Sequence, residues 1–255
     1  MTNEQTAEKL FEAYKNSALT ENFSEEESVK TSEEAYGIQQ IFMQKRVKIL
    51  GEKISGAKAG ATSKAALKAL NLTEPFFAPL TDADFFTGDL SFAKCPGLQL
   101  VELEIAFKAV NDISVDADAD EIIKNTEIAL AVEIPTRRTV KPEKINNMIA
   151  DCGCGGNVYY ANNFIPAPDL KALASYSGRV YLDGKVIAQG TSDGVLDNPV
   201  NAVIYANKMM NKLYGQFKKG MIIISGSLTP PLQAVKGEYK FEIDNLGTAE
   251  FKITD

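Results

Sequence analysis

Three glutamates carry the most pointed chemistry in this sequence. Glu102 and Glu104 flank Leu103 inside a largely apolar run from Leu98 to Val110. On a β-strand, residues two apart share a face, so both carboxylates project to one side. Glu133 closes a second apolar run that begins at Ile128, a setting that predicts burial. An unpaired buried carboxylate is costly, and two side by side also repel. A bound divalent cation would resolve both problems. The other reading of the same spacing is a solvent-facing alternation with one glutamate paired to Lys or Arg. The chain has no histidine, which excludes Ser-His-Asp and Cys-His catalysis and every zinc site that needs imidazole. Acid–base and metal chemistry then rest on carboxylates, Lys, Tyr, Cys, backbone or water. Oxygen ligands suit hard cations such as Mg²⁺ or Mn²⁺.

Two further clusters invite a metal and read better without one. Asp116-x-Asp118-x-Asp120 starts like a calcium loop but lacks its glycine and distal glutamate. It precedes Glu121-Ile122-Ile123, so the spacing predicts acidic residues at a helix N-terminus, where the dipole favours them. Cys152-Gly153-Cys154 has only Cys95 for company and no His, so a closed Cys/His zinc site is unavailable. With Gly155 and Gly156 it predicts a tight turn.

The elements that position these residues follow from periodicity and punctuation. Thr2-x-x-Gln5 and Thr31-x-x-Glu34 are capping boxes opening two amphipathic helices, one carrying Leu10, Phe11 and Tyr14, the other Ile38, Ile41, Phe42 and Val47. Lys53 to Gly60 reads as extended, and Ser63 to Leu70 as a third helix. From Leu98 onward strands dominate: Leu98 to Val110, Ile128 to Ile134 and Asn157 to Asn163. A hairpin spans Gly178 to Ala188 about Asp183-Gly184. Asn198-Pro199 starts a helix that Gly215 follows. Met221 to Ser225 and Glu238 to Ile253 complete the set, with Asn245-Leu246-Gly247 turning the final pair. The expected fold is mixed α/β (α+β), a single domain over 1–255, mainly helical over 1–70 and β-rich over 98–255.

Composition bounds the function. A formal net charge of −7 argues against a nucleic-acid binder, which would present a basic face. No apolar run is long enough to cross a bilayer. The first ten residues are polar and acidic, unlike a secretory signal, and three cysteines make no disulfide framework. These features predict a cytoplasmic protein.

Three blocks in order resemble the 2-keto-4-pentenoate hydratase and 2-oxo-3-hexenedioate decarboxylase family, within the fumarylacetoacetate hydrolase superfamily. They are Gly56-Ala-Lys58-Ala-Gly60-Ala-Thr62-Ser63, Val101-Glu102-Leu103-Glu104-Ile105-Ala106-Phe107 and Ala131-Val132-Glu133-Ile134. Ile149-Ala150-Asp151, Ser225-Gly226-Ser227 and Leu246-Gly247-Thr248-Ala249 fall where that family has similar segments. The resemblance implies N-terminal helices before a β-rich body of the fumarylacetoacetate hydrolase C-terminal type. It implies Mg²⁺ or Mn²⁺ on Glu102, Glu104 and Glu133, with Lys58 facing the active site. Asp151, Ser225 and Ser227 become candidates for binding a small 2-oxo acid, and a homo-oligomer is expected.

That family chemistry is lyase chemistry, first of all hydration of 2-keto-4-pentenoate in its dienol form to 4-hydroxy-2-oxopentanoate. Decarboxylation of 2-oxo-3-hexenedioate is the alternative, and acylpyruvate hydrolysis or ligand binding without turnover are more distant ones. Lys58 would orient substrate or move a proton, provided burial or the cation lowers its pKa. The sequence also departs from the family. Phe76 follows Pro75 where hydratase relatives often carry an acid, with Asp82 and Asp84 the nearest substitutes. Cys152 and Cys154 replace an amide and a hydroxyl. Thr136 and Arg137 replace the usual Asp-Ser before Arg138.

Overall fold

The computed structural model describes residues 1–255. Helices α1 (Asn3–Lys15) and α2 (Ser32–Leu50) come first. Thr2 and Gln5 form the expected capping box on α1. At α2 the box is split: the Thr31 hydroxyl accepts the Glu34 amide, while the Glu34 carboxylate takes the amide of Lys30 instead of that of Thr31. Gly51, at φ 76°, ends α2 in the left-handed region that glycine occupies without strain. The buried stripe of α2 runs Ala35, Ile38, Gln39, Phe42, Met43, Arg46, the i, i+3, i+4 spacing of one helix face. It packs with Leu10 and Phe11 of α1 into a small core that also takes Phe76 and Ile149.

The chain then weaves two sheets. In order it forms β1 (Ile54–Gly60), α3 (Lys64–Ala69), β2 (Phe76–Thr81), β3 (Leu90–Ser91) and β4 (Leu100–Ala109). Next come α4 (Ala119–Lys124), β5 (Thr126–Glu133), α5 (Ile145–Ala150), β6 (Val158–Tyr160) and β7 (Ile165–Pro166). The hairpin strands β8 (Ser177–Leu182) and β9 (Lys185–Thr191) follow the short α6 (Leu170–Leu173). Helix α7 (Pro199–Leu213), capped by Asn198, precedes β10 (Ile222–Ile224), β11 (Leu232–Gln233), β12 (Gly237–Ile243) and β13 (Gly247–Thr254). Asp118 caps α4, as the acidic run predicts.

The larger sheet has the order β2-β1-β10-β4-β5-β6, with β11 on β4 and β7 on β5; β1 and β10 are parallel, and the other pairs antiparallel. The smaller sheet runs β3-β13-β12-β8-β9. Alternation gives the two faces of the larger sheet different tasks. Leu103, Ile105, Phe107, Leu130 and Val132 enter the main core with Val180, Phe241 and Phe251 of the smaller sheet and Val203 of α7. The opposite face carries the chemistry. The sequence division at residue 70 is not a structural boundary, because β1 lies inside the large sheet between β2 and β10. No helix is long and apolar enough to cross a membrane.

Candidate active site

Register brings the three glutamates together. Glu102 pairs directly with Glu133 across β4 and β5, and Glu104 lies one step along β4 opposite Ala131. All three project from the same face, and a carboxylate oxygen from each lies within 4.8 Å of the others. Glu104 and Glu133 are each only 2% exposed, and Glu102 is half-buried. The solvent-facing alternation is therefore the wrong reading of this strand.

Lys58 reaches the same cluster from β1. Its Cα is in register with Ile224 of β10, which pairs in turn with Ala106 of β4. The ammonium Nζ donates to Glu133 Oε1 at 2.6 Å with both side chains buried. Burial alone would lower its pKa, but Glu133 and Glu102 outweigh that and hold it above the ordinary lysine value. In the protein without metal, Lys58 is thus a fixed cation, not the lowered-pKa base that the sequence reading required.

The electrostatics are unbalanced. Burial and then the Glu133 carboxylate push Glu102 up to about 7, against the pull of Lys58. Glu104 is raised well above the usual carboxylate range by burial, then by Glu133 and Glu102. The Gly226 amide, donating to Glu104 Oε2 at 2.7 Å, only partly offsets this. Were all three carboxylates ionised, the single ammonium would leave two negative charges uncompensated in a buried site, and the raised Glu102 and Glu104 are the response to that excess. A divalent cation has the charge to close that gap, and an all-oxygen donor set matches a hard ion.

Glycines shape the walls. A Cβ on Gly60 would lie 2.1 Å from Phe76 Cζ, and one on Gly153 would lie 2.4 Å from Phe76 Cε2 and 3.3 Å from Lys58 Cε. The Phe76 ring is therefore clasped between β1 and the loop after α5, against the lysine stem. In that loop Cys152, Gly153 and Cys154 have φ of 50°, 59° and 56°. Such a run is unusual for residues carrying a Cβ and is held by Cys154 O accepting the Thr136 amide at 2.6 Å. Burial pushes both thiols up to about 12, so they stay protonated.

The remaining candidates sit differently. Asp151 faces Arg138: its Oδ2 accepts the Arg138 amide at 3.1 Å, and Oδ1 lies 3.2 Å from Nη1 without hydrogen-bond alignment. Burial pushes Asp151 up to about 6 against the pull of Arg138. Ser225 Oγ accepts the Ile105 amide and donates to Gly226 O, so it ties β10 to β4. Ser227 is half-buried beside Thr229, with 3.5 Å between hydroxyl oxygens. The Ser225–Ser227 segment contributes to the cluster through the backbone of Gly226. Asp84 does not face the site as a free acid. It bonds Arg46 at 2.8 Å and the Thr81 amide at 2.7 Å, in a buried network with Glu52 and Tyr14.

Comparison with protein-family models gives no match. Among characterised proteins the chain is 29% identical to the 2-hydroxyhexa-2,4-dienoate hydratase of Comamonas testosteroni, over 99% of this chain and 97% of the relative. It is 27% identical to the 2-keto-4-pentenoate hydratase of Paraburkholderia xenovorans, over 85% of this chain and 81% of the relative. Along nearly its whole length the chain is similar to hydratases of the 2-keto-4-pentenoate type. Its fold matches 4-oxalocrotonate decarboxylase from Pseudomonas putida G7, solved with magnesium and adipate, at a TM-score of 0.86 and 18% identity over 99% of this chain and 98% of that one. The amide of Gly226, the pairing of Arg138 with Asp151 and the Arg46 network escape the sequence reading, whereas Phe76 stands out there only by its place after Pro75. Within that network Arg46 alone leaves a signal in the sequence, lying four residues after Phe42 on the apolar stripe of α2.

Proposed function

We propose that the protein is a divalent-metal-dependent lyase of small 2-oxo acids, adding water to the conjugated dienol form of 2-keto-4-pentenoate or a close homologue. The observation that carries the reading is the buried Glu102–Glu104–Glu133 cluster, three carboxylates gathered around a single ammonium. Glu102, Glu104 and Glu133 would hold Mg²⁺ or Mn²⁺. When bound, such an ion supplies Lewis acidity for the carboxylate and 2-oxo oxygens of the substrate. The similarity to hydratases along nearly the whole chain supports the reaction class.

The chain's own residues supply position and proton control. Gly226 fixes one oxygen of Glu104 through its amide. Glu133 anchors the Lys58 ammonium, keeping a proton donor inside the cluster. A ligand sharing negative charge with these carboxylates would meet that cation at close range, which suits Lys58 to orienting a substrate oxyanion or delivering a proton to the substrate. Phe76 excludes water from one flank, and the protonated Cys154 thiol lies near Lys58.

Phe76 supports a second reading, decarboxylation of 2-oxo-3-hexenedioate, because an aromatic ring stands where hydratase relatives often carry an acid. One assay separates the two. Chelator-stripped protein reloaded with Mg²⁺ should bleach the ultraviolet absorbance of 2-hydroxypenta-2,4-dienoate without releasing CO₂. CO₂ release from 2-oxo-3-hexenedioate, with no consumption of the dienoate, would overturn hydration in favour of the second reading.

A further inference from the structure

A cleft of about 340 Å³ opens outside the glutamate cluster, none of whose residues line it. Lys94, Arg137 and Arg138 line it, with Lys15 at the end of α1. The carboxylate on its wall, Asp84, is already ion-paired with Arg46. Thr136 and Asn157 add polar side chains.

A double glycine lies between the glutamate cluster and this cleft. A Cβ on Gly155 would lie 3.7 Å from Lys58 Cε on the glutamate side. A Cβ on Gly156 would lie 3.6 Å from Arg138 Nη2 and 3.8 Å from Asp84 Oδ1 on the cleft side. Arg138 is 4% exposed, and its Nη2 donates to Gly155 O at 2.5 Å, so a charge in the cleft wall is rigidly held. Arg137 is fixed by Nε and Nη2 on the carbonyls of Thr139 and Val140, which leaves Nη1 unused. Lys94 is exposed, and its ammonium engages no ion pair or hydrogen bond.

We infer that this cleft is a binding site for a small oxyanion, a carboxylate or a phosphate, separate from the glutamate cluster. Of the four cations around this concavity Lys15 is paired with Glu12 and Arg138 with Asp151, but Lys94 and Arg137 have no carboxylate partner, so a chain of net charge −7 keeps two uncompensated positive charges at one cleft. The buried Arg138, immobilised by protein carbonyls, gives the anion a preorganised partner, and Lys94 supplies a mobile one. The cleft volume suits a ligand of a few heavy atoms. The inference is independent of the metal reading, because none of these cations belongs to the glutamate cluster.

Calorimetry on the full chain with chelator present, at constant ionic strength, tests it. Succinate and inorganic phosphate are titrated separately into wild type, Lys94→Glu and Glu104→Gln. At least one anion should saturate wild type and Glu104→Gln with equal affinity, and Lys94→Glu should weaken it at least roughly tenfold. Lys94 has no partner to lose, so that variant should fold; an unchanged circular dichroism spectrum confirms it. Succinate alone, phosphate alone or both binding in this pattern identifies the ligand's source. No saturable heat from either anion up to millimolar concentration, or binding that survives Lys94→Glu, overturns the site.

Discussion

The charge imbalance in the glutamate cluster predicts that the metal-free protein loses stability as pH rises. Glu102 is pushed from its usual 4.5 up to about 7 in the folded chain. The unfolded chain releases that proton near the usual value, while the folded chain keeps it until near 7. Between the two the folded state binds more protons, so stability falls as pH rises through this window and is lowest above it. Moving from 4.5 to about 7 corresponds to roughly 3 kcal/mol at ~1.4 kcal/mol for each pH unit. Glu102 retains some contact with solvent, so ~2 kcal/mol is the working magnitude. Glu102→Gln has no such proton to lose. In chelator, thermal unfolding followed by circular dichroism from pH 4.5 to 8.5 should give a variant-minus-wild-type difference that grows with pH. Its span should reach about 4 to 8 °C for a chain of this size. Working on the difference cancels other buried acids such as Asp151, common to both proteins. A difference independent of pH would refute the reasoning, since it would place the Glu102 carboxylate in a solvated or fully compensated setting.

Three further outcomes follow from the geometry. Gly226→Ala puts a Cβ 1.9 Å from Thr62 Oγ1 at a φ of +92°; denaturant unfolding should show a loss of at least ~2 kcal/mol, and calorimetry weaker Mg²⁺ binding as Glu104 loses its fixed amide. Arg46→Met strands Asp84 and Glu52 without their buried cation, so urea unfolding should show about 3 to 5 kcal/mol of destabilisation. Lys58→Met should leave a folded, metal-binding protein whose kcat falls at least ~100-fold, measured on the dienoate; near-normal kcat would reduce Lys58 to a structural ion pair.

Strand and helix placement was legible wherever a local signal was strong. The β4 and β5 runs, the Asp183-Gly184 hairpin and the Asn198-Pro199 helix start all sit where periodicity and turn chemistry put them. The same face for Glu102 and Glu104 followed from strand pleating, but their meeting with Glu133 depends on antiparallel register, which no local pattern encodes. Lys58 joins them across intervening strands, a relation that only the β1–β10 crossover creates. Strand β2 went unread because all six of its residues are buried, giving no alternation to detect. The buried ion network failed to register for a related reason. Asp84 lies 38 residues from Arg46, and although Glu52 is only six away, neither carboxylate carries a local sign that it turns inward to the arginine. The motif resemblance makes Asp151 and Ser225 ligand-binding candidates; in the fold Ser225 Oγ bonds the Ile105 amide and Gly226 O, while Asp151 keeps Oδ1 without a hydrogen bond beside Arg138.

Calorimetric titration of chelator-stripped protein with Mg²⁺ and Mn²⁺, alongside Glu104→Gln, tests the central claim most directly. The account predicts one saturable site in wild type that disappears in Glu104→Gln while the variant keeps its circular dichroism spectrum. Binding of equal strength in both proteins, or none in wild type at millimolar metal, would contradict it and leave the three glutamates as a structural cluster.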